Sequence, residues 1–493
     1  MRARIDGQAL PLSPHPHLSM LPTEPRHETP AVTELFIAVF RRDLQAFFPR
    51  IAIEELPGPS ERPSSQSPDF ELEAGPVDGA IRFRLFGHRL RLWLRNRTEI
   101  CPHELRMIQA VATVLTQRYE YLFKTHNPSR LDLYRGGPED HYVAAFIHPE
   151  PYIPGSVRNS RIAATVQTLR TAALSTYENH RVSTGALLLG DGIDPNSEPV
   201  TTPTDAIPYG VELTAVRSIH RLCDGRRTLF LVDQAGQLVD IIDVARWASR
   251  AQVASPPAEP QDTLCARAYQ PHAISTRHNG HVCLVLSPNQ EIKLFAEGRQ
   301  AFVFSHGRWR ILDPVRWYGA WSAAVADPDL ARTLFQAALD MAENRQGGLF
   351  VVVRNPEEAI GRLVARHDLV NHEDQENDPG QELPEITLAD RNPLARRALH
   401  YLARGRVVTA LDPPVLEAIA SLDGALVVDR KGLILAFGAI LRHHDAPERL
   451  GLDRAEGART TAALVASLQG PVLKVSEDGV VSFFLDGTRI WDL

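Results

Sequence analysis

Gly347 to Val353 (GGLFVVV) runs without a single polar side chain, and Ala425 to Val428 and Gly432 to Ala439 do the same on either side of an Asp429-Arg430-Lys431-Gly432 turn. A strand that lacks polar alternation has no face to show to water, so it must lie inside a sheet that is covered on both sides. Helix periodicity over Leu334 to Ala342 supplies one cover. Val407 to Leu411 reads as a further strand, and Pro413-Pro414 opens a helix that runs to Ala420. The last third of the chain is therefore expected to be a mixed β-sheet flanked by helices, and the fold class α/β and multidomain.

A chain of 493 residues is too long for one ordinary core and predicts about three domains. Residues 1–30 hold six prolines and little apolar period, which predicts a flexible arm. Residues 31–180 read as an α/β module of the kind that senses ligands. It holds a helix over Val32 to Phe48, a linker over Pro57 to Pro68 and a hairpin whose apolar residues alternate with Arg82, Arg84, Arg89, Arg91 and Arg95. A helix through Leu105 to Tyr119 starts at Cys101-Pro102-His103-Glu104, and another is expected over Ser160 to Thr176. The hairpin arginines are expected to be solubilising. Residues 181–325 carry short apolar runs at Gly185 to Gly190, Thr228 to Val232, Gln237 to Ile242, Val282 to Leu286, Ile292 to Ala296 and Ala301 to Ser305, which predict a β-rich middle domain. Asp191 to Asn196 is expected to be a surface turn. Residues 326–493 form the last domain, interrupted by an acidic excursion at Gln375 to Pro384. No internal repeat is evident.

The formal charge is −7, from 53 basic and 60 acidic side chains, so no global positive field gathers DNA. Cys101, Cys223, Cys265 and Cys283 are too far apart for a metal knuckle or a disulfide framework and are expected to be reduced thiols. No run approaches the roughly 18 apolar residues of a membrane span, and no signal-peptide core is present. The expectation is a cytoplasmic protein without membrane association.

Taken in order, helix plus GGLFVVV, then ALDPPVLEAIASLDGALVVDRKGLILAFGAIL, then GARTTAALVA, then VLKVSEDGVVSFFLDG, this third of the chain resembles the bacterial diadenylate cyclase (DisA-type) domain. The segments Pro138 to Ile147 and Ala172 to Ser183 make the whole chain similar to the bacterial proteins called probable DACNV sensors. In the cyclase family an Asp-Gly-Ala motif lies beside the ribose and phosphates of ATP, and a Gly-Thr-Arg-His-Arg loop grips the triphosphate. Two domains face each other and make cyclic di-AMP from two ATP with a divalent metal. The resemblance implies that Asp423, Gly424 and Ala425 contact nucleotide, with Asp423 as catalytic residue and ligand of Mg2+ or Mn2+. It further implies that Gly457, Arg459, Thr460 and Thr461 form the phosphate loop, that Ser476 and Glu477 reach nucleotide or metal, and that the protein is a homodimer or higher homo-oligomer. Chemically, a carboxylate followed by Gly at a strand entrance lets a nucleotide approach closely.

The phosphate loop departs from the family. Gly457-Ala458-Arg459-Thr460-Thr461 keeps the Gly and the first Arg but has threonines where the family has His and the second Arg. Charge-assisted hydrogen bonds contribute roughly 1.5–3 kcal/mol each, so the two losses weaken triphosphate or transition-state binding by about two to four powers of ten. Three readings follow: a sensor that binds ATP or a cyclic dinucleotide with little or no turnover, an active diadenylate cyclase with a reorganised loop, and a structural interaction module with an empty pocket. His443 and His444, on the loop after Leu441, are expected to be surface residues.

Overall fold

The computed structural model describes residues 30–57, 70–77, 79–95, 100–123, 137–148, 158–192, 202–215, 219–253, 263–370, 400–442 and 457–493. The proline-rich arm, nearly all of the Pro57 to Pro68 linker, the end of the Asp191 to Asn196 turn, the Gln375 to Pro384 excursion, His443 and His444 lie outside the described residues. The chain divides into two compact units, one within Met1–Tyr134, the other over Arg135–His148 and Ile153–Leu493. The expected 31–180 module thus ends earlier than its sequence boundary, and the expected middle and last domains share one unit.

The first unit holds α1 (Pro30–Phe47), β1 (Ile51–Glu55), β2 (Glu71–Val77), β3 (Ala80–Leu85), β4 (His88–Leu94) and α2 (Pro102–Phe123), with an antiparallel sheet in the order β1-β4-β3-β2. Phe40, Leu44, Ile81, Phe83, Leu85, Leu90 and Leu92 bury the apolar faces. The other face is not merely solvated. Arg84 and Arg89, paired across the hairpin, both reach Glu73 of β2, at 3.4 and 3.0 Å. The hydrogen bond from Arg89 holds the Glu73 pKa below the usual carboxylate value. At the start of α2 the Glu104 carboxylate accepts from the Cys101 amide at 2.8 Å, which caps the helix as the sequence implies.

The second unit begins with α3 (Pro138–Ile147), α4 (Arg158–Ala173) and a small hairpin, β5 (Thr176–Tyr177) and β6 (His180–Arg181). Then come β7 (Thr184–Leu188), β8 (Thr228–Val232), β9 (Leu238–Asp243), α5 (Val244–Val253), α6 (Gln270–Ser275), β10 (Val282–Leu286), β11 (Ile292–Ala296), β12 (Arg299–Ser305) and β13 (Arg308–Ile311). Their sheet runs β13-β12-β11-β10-β7-β8-β9. After α7 (Pro314–Val325) and α8 (Pro328–Glu343) follow β14 (Gly348–Val352), α9 (Pro356–Arg362), α10 (Pro413–Ala420), β15 (Ala425–Val428), β16 (Ile434–Ala439), α11 (Ala458–Ala466), β17 (Val472–Val475), β18 (Val481–Leu485) and β19 (Thr488–Asp492). This second sheet runs β16-β15-β14-β17-β18-β19. Both sheets are mixed, each with one parallel pair, β7–β8 and β14–β15.

The two orders are the same once β13 is set aside: β7 corresponds to β14, β8 to β15, β9 to β16, and β10, β11 and β12 to β17, β18 and β19. The internal repeat that the sequence does not show is therefore present in the topology. Its invisibility has a physical cause: a core strand constrains only apolarity and size, and many residues satisfy both.

Alternate residues of β14 and β15 enter two different cores. Phe350, Val352, Leu426 and Val428 pack with α7 and α8, while Leu349, Val351, Ala425 and Val427 pack with Ala463 and Leu464 of α11. Asp327 caps α8 by accepting from the Leu330 amide at 2.9 Å. The expected strand over Val407 to Leu411 is corrected: Val408–Ala410 is a 3-10 turn, tied to the sheet by one bridge, Val407 to Leu433. The chain must leave the ladder there to enter α10 at Pro413-Pro414, whose rings donate nothing to a sheet.

Polar contacts join the two sheets' layers within this unit. The Arg267 guanidinium pairs with Asp340 and, at 3.2 Å, with Glu417, and Gln336 donates to the Cys265 carbonyl at 2.9 Å. Lys293 sits between Glu343 at 2.8 Å and Glu291 at 3.0 Å, and Arg345 reaches Glu291 at 2.9 Å.

Candidate functional site

The ladders of β14 determine which residues meet at its amino end. Phe350 pairs with Leu426 in the parallel ladder, and that register, carried back beyond its last paired residues, sets Gly348 level with Gly424 and Gly347 level with Asp423. Gly348 pairs with Val475 of β17 on the other side, which brings Ser476 level with Gly347. The Asp-Gly-Ala segment and the Ser476-Glu477 segment, 53 residues apart in sequence by their first members, therefore flank one strand end.

Gly424 is required by the backbone. Its φ is +120°, and a Cβ there would lie 2.6 Å from the Gly438 carbonyl oxygen and 2.7 Å from the Ala439 nitrogen. This close approach of β15 to β16 leaves Asp423 exposed at the edge. Ala425 has its side chain in the core among α11 residues, so only its backbone faces the edge. Leu422, the residue before Asp423, is exposed as well.

Arg459 arrives from the first turn of α11, which starts at the exposed Gly457. Its guanidinium packs over Gly347, where an added Cβ would be 3.1 Å from Cζ, and it lies 3.9 Å from Glu477. Thr461 is half-buried, and the amides of Thr460 and Thr461 both donate to the Gly457 carbonyl at 2.9 and 3.1 Å. Thr460 is buried, contrary to the picture of an open phosphate-facing hydroxyl, and its Oγ1 accepts from Lys474 Nζ at 2.9 Å. Ser476 and Gly479 close the turn between β17 and β18: the Ser476 amide donates to the Val480 carbonyl and the Gly479 amide to the Ser476 carbonyl, both at 2.9 Å.

Lys474 is the residue that sequence reasoning missed. Its signal was present, a lone charge inside the apolar VLKV strand, and it brings a cation onto Thr460, the residue after Arg459. The candidate site thus comprises Asp423 by register, Arg459 over Gly347, Lys474 on Thr460, and the start of a nine-residue helix whose dipole favours anions. Among the described residues no three His, Cys, Asp or Glu side chains cluster as a ready metal-ligand set. A Mg2+ or Mn2+ ion that also takes phosphate oxygens and water requires only one or two carboxylates, and the exposed Asp423 meets that lesser demand.

A cavity of 80 Å³ lies elsewhere in the unit, lined by Cys265, Lys293, Arg310, Leu339, Glu343 and Val481 among others. Asp423, Arg459, Lys474 and Ser476 are not among its lining residues. No helix among the described residues is long and apolar enough to cross a membrane. Neither a scan against protein-family models nor a search of curated proteins gives a match.

Proposed function

We propose that the chain is a nucleotide-binding signalling protein whose last domain is diadenylate cyclase-like and takes ATP or a cyclic dinucleotide at the Asp423–Arg459 edge. The observation that supports the reading is Arg459 packed over Gly347 at the amino end of β14, the end toward which the ladder registers carry Asp423 and Ser476, with Lys474 bonded to the neighbouring Thr460. Arg459 and Lys474 would hold phosphates, Gly424 would admit the ligand closely, and Asp423 would hold Mg2+ or Mn2+ or orient a ribose hydroxyl. The ion supplies neutralisation of phosphate charge when bound. Binding with little turnover is favoured because Thr460 is buried and Thr461 half-buried where the family uses cations that meet the triphosphate.

The second reading, an active diadenylate cyclase working as a face-to-face homodimer, draws on Lys474, which restores one of the two positive charges that the loop lacks. Titration of the purified chain with ATP and with cyclic di-AMP, each with Mn2+, tests both readings. The expected outcome is saturable binding that weakens at least tenfold in Arg459→Ala, with no cyclic di-AMP formed from ATP. Product that vanishes in Asp423→Asn selects the cyclase, and absence of any binding defeats both and leaves a structural module.

A further inference from the structure

The two sheets of the second unit correspond residue by residue as well as strand by strand. Ala186 pairs with Phe230 as Phe350 pairs with Leu426, Leu187 with Cys283 as Val351 with Val472, and Leu286 with Ile292 as Val475 with Val481. The hairpin turns match as well: Asp233 accepts from the Gln237 amide at 2.8 Å as Asp429 accepts from the Leu433 amide at 2.9 Å. Even the irregularities coincide, with register shifts between Leu294 and Phe295 in one sheet and between Phe483 and Phe484 in the other. Positive φ follows at Glu297-Gly298 and at Asp486-Gly487. A bulge at one position of a six-strand order is a specific feature, and its recurrence at the matching offset is strong evidence of common design.

This correspondence identifies what stands at the middle sheet's counterpart of the nucleotide edge. Counting along the ladders, Gly347 answers to Ser183, Asp423 to Arg227, Gly424 to Thr228, Lys474 to Val285 and Glu477 to Pro288. The helical run that starts at Arg267 answers to α11, so Ala268 takes the place of Arg459 and the buried Tyr269 that of Thr460. Acid is exchanged for base, and both edge cations are exchanged for apolar side chains. An Asp-Gly pair does occur just upstream, at Asp224-Gly225, but its carboxylate is consumed. Asp224 Oδ1 accepts from the amides of Arg226, Arg227 and Thr228 at 2.8, 2.6 and 3.1 Å, and these bonds outweigh burial and push its pKa down to about 2.

The same turn also fills the space. A Cβ on Gly225 would lie 2.6 Å from the Thr184 carbonyl oxygen, so the turn rests on the amino end of β7, where Arg459 rests on that of β14. His272, fully buried, bonds the Gly225 carbonyl through Nε2 at 2.9 Å and fixes the turn from beneath. Arg267, which opens the helical run, is itself taken up by Asp340 and Glu417.

We infer that the middle sheet is a second copy of the C-terminal domain whose nucleotide edge is plugged by the Asp224–Thr228 turn, so that each chain takes at most one nucleotide, at the Asp423 edge. The inference rests on the nucleotide reading above. The middle copy is then a fixed structural partner, and a site built from two facing edges needs a second copy of the chain.

Calorimetric titration of the full chain with ATP and with cyclic di-AMP, each with Mn2+, reads the stoichiometry. Saturation at no more than one nucleotide per chain is expected, with binding weakened at least tenfold by Arg459→Ala and unchanged by Arg227→Ala. Hydrogen exchange on ligand addition should slow at 457–461 and stay the same at 224–228. Two nucleotides per chain, a second site that is lost in Arg227→Ala beside one lost in Arg459→Ala, or ligand-induced protection at 224–228 in addition to 457–461 overturns the plugged-copy inference and leaves the nucleotide reading standing. No heat from wild-type chain with either probe overturns the nucleotide reading, and this inference with it.

Discussion

Replacing Lys293 by methionine removes the one cation between Glu343 and Glu291, which stand 2.8 and 3.0 Å from its nitrogen with all three side chains nearly buried. Burial works against the ammonium, but Glu343 and Glu291 outweigh it and hold its pKa above the usual value. After the change Glu291 keeps Arg345 at 2.9 Å, while Glu343 loses its ion-pair partner. Breaking a buried pair costs about 3–5 kcal/mol, because the uncompensated charge stays in a medium that does not solvate it. That is roughly two to four powers of ten in the unfolding equilibrium. The pH dependence follows from the signs. A carboxylate without its cation has a folded pKa raised above the ordinary value of about 4.3, so the penalty is present at high pH and relieved as the pH falls and the group takes up a proton. In the wild type the Glu291 pKa is lowered, chiefly by Lys293 acting against burial, so its stabilisation is present at neutral pH and fades in acid. Urea unfolding at pH 8 and pH 5 should therefore show a larger difference between Lys293→Met and wild type at pH 8. The double variant Lys293→Met/Glu343→Met should recover most of the loss, since an apolar replacement of the pair leaves no charge behind. A penalty below about 1 kcal/mol, or one equal at the two pH values, refutes the argument.

Gly424→Ala should destabilise the second unit by about 3 kcal/mol, from a φ of +120° and a Cβ 2.6 Å from the Gly438 carbonyl oxygen, and a thermal midpoint within 1 °C of wild type would contradict it. Lys474→Met should weaken ATP binding about ten- to hundredfold while leaving the unfolding midpoint nearly unchanged, because the side chain is only half-buried; titration calorimetry beside a melting curve separates the two effects.

The parts of the fold that could be read beforehand are those where one side chain has one environment to satisfy. Gly347 to Val353 has no polar residue, and β14 is buried on both faces. The Asp429 to Gly432 turn was readable because Asp429 caps it locally, through the amides of Lys431 and Leu433. Val407 to Leu411 misled because an apolar run of that length suits a 3-10 turn under a core as well as a strand. The hairpin arginines gave no hint of Glu73, whose partners lie 11 and 16 residues away. Asp423 and Arg459 are candidates from motif order alone, whereas Lys474 needs a register, since only the ladder tells which face of VLKV meets Thr460.

The repeat shows the same limit from the other side. Ladder pairing and a bulge depend on backbone geometry that many sequences satisfy, so the two sheets keep them while sharing little that the eye can align. Charge at a strand end is under no such packing constraint and can be exchanged freely, as Asp423 is for Arg227 and Glu477 for Pro288. A duplicated domain can therefore change its chemistry while its architecture stays fixed. The divergence should be greatest where strands end, as in the turn before β8 where Asp224 accepts from the amides of its own turn, and least where strands pair.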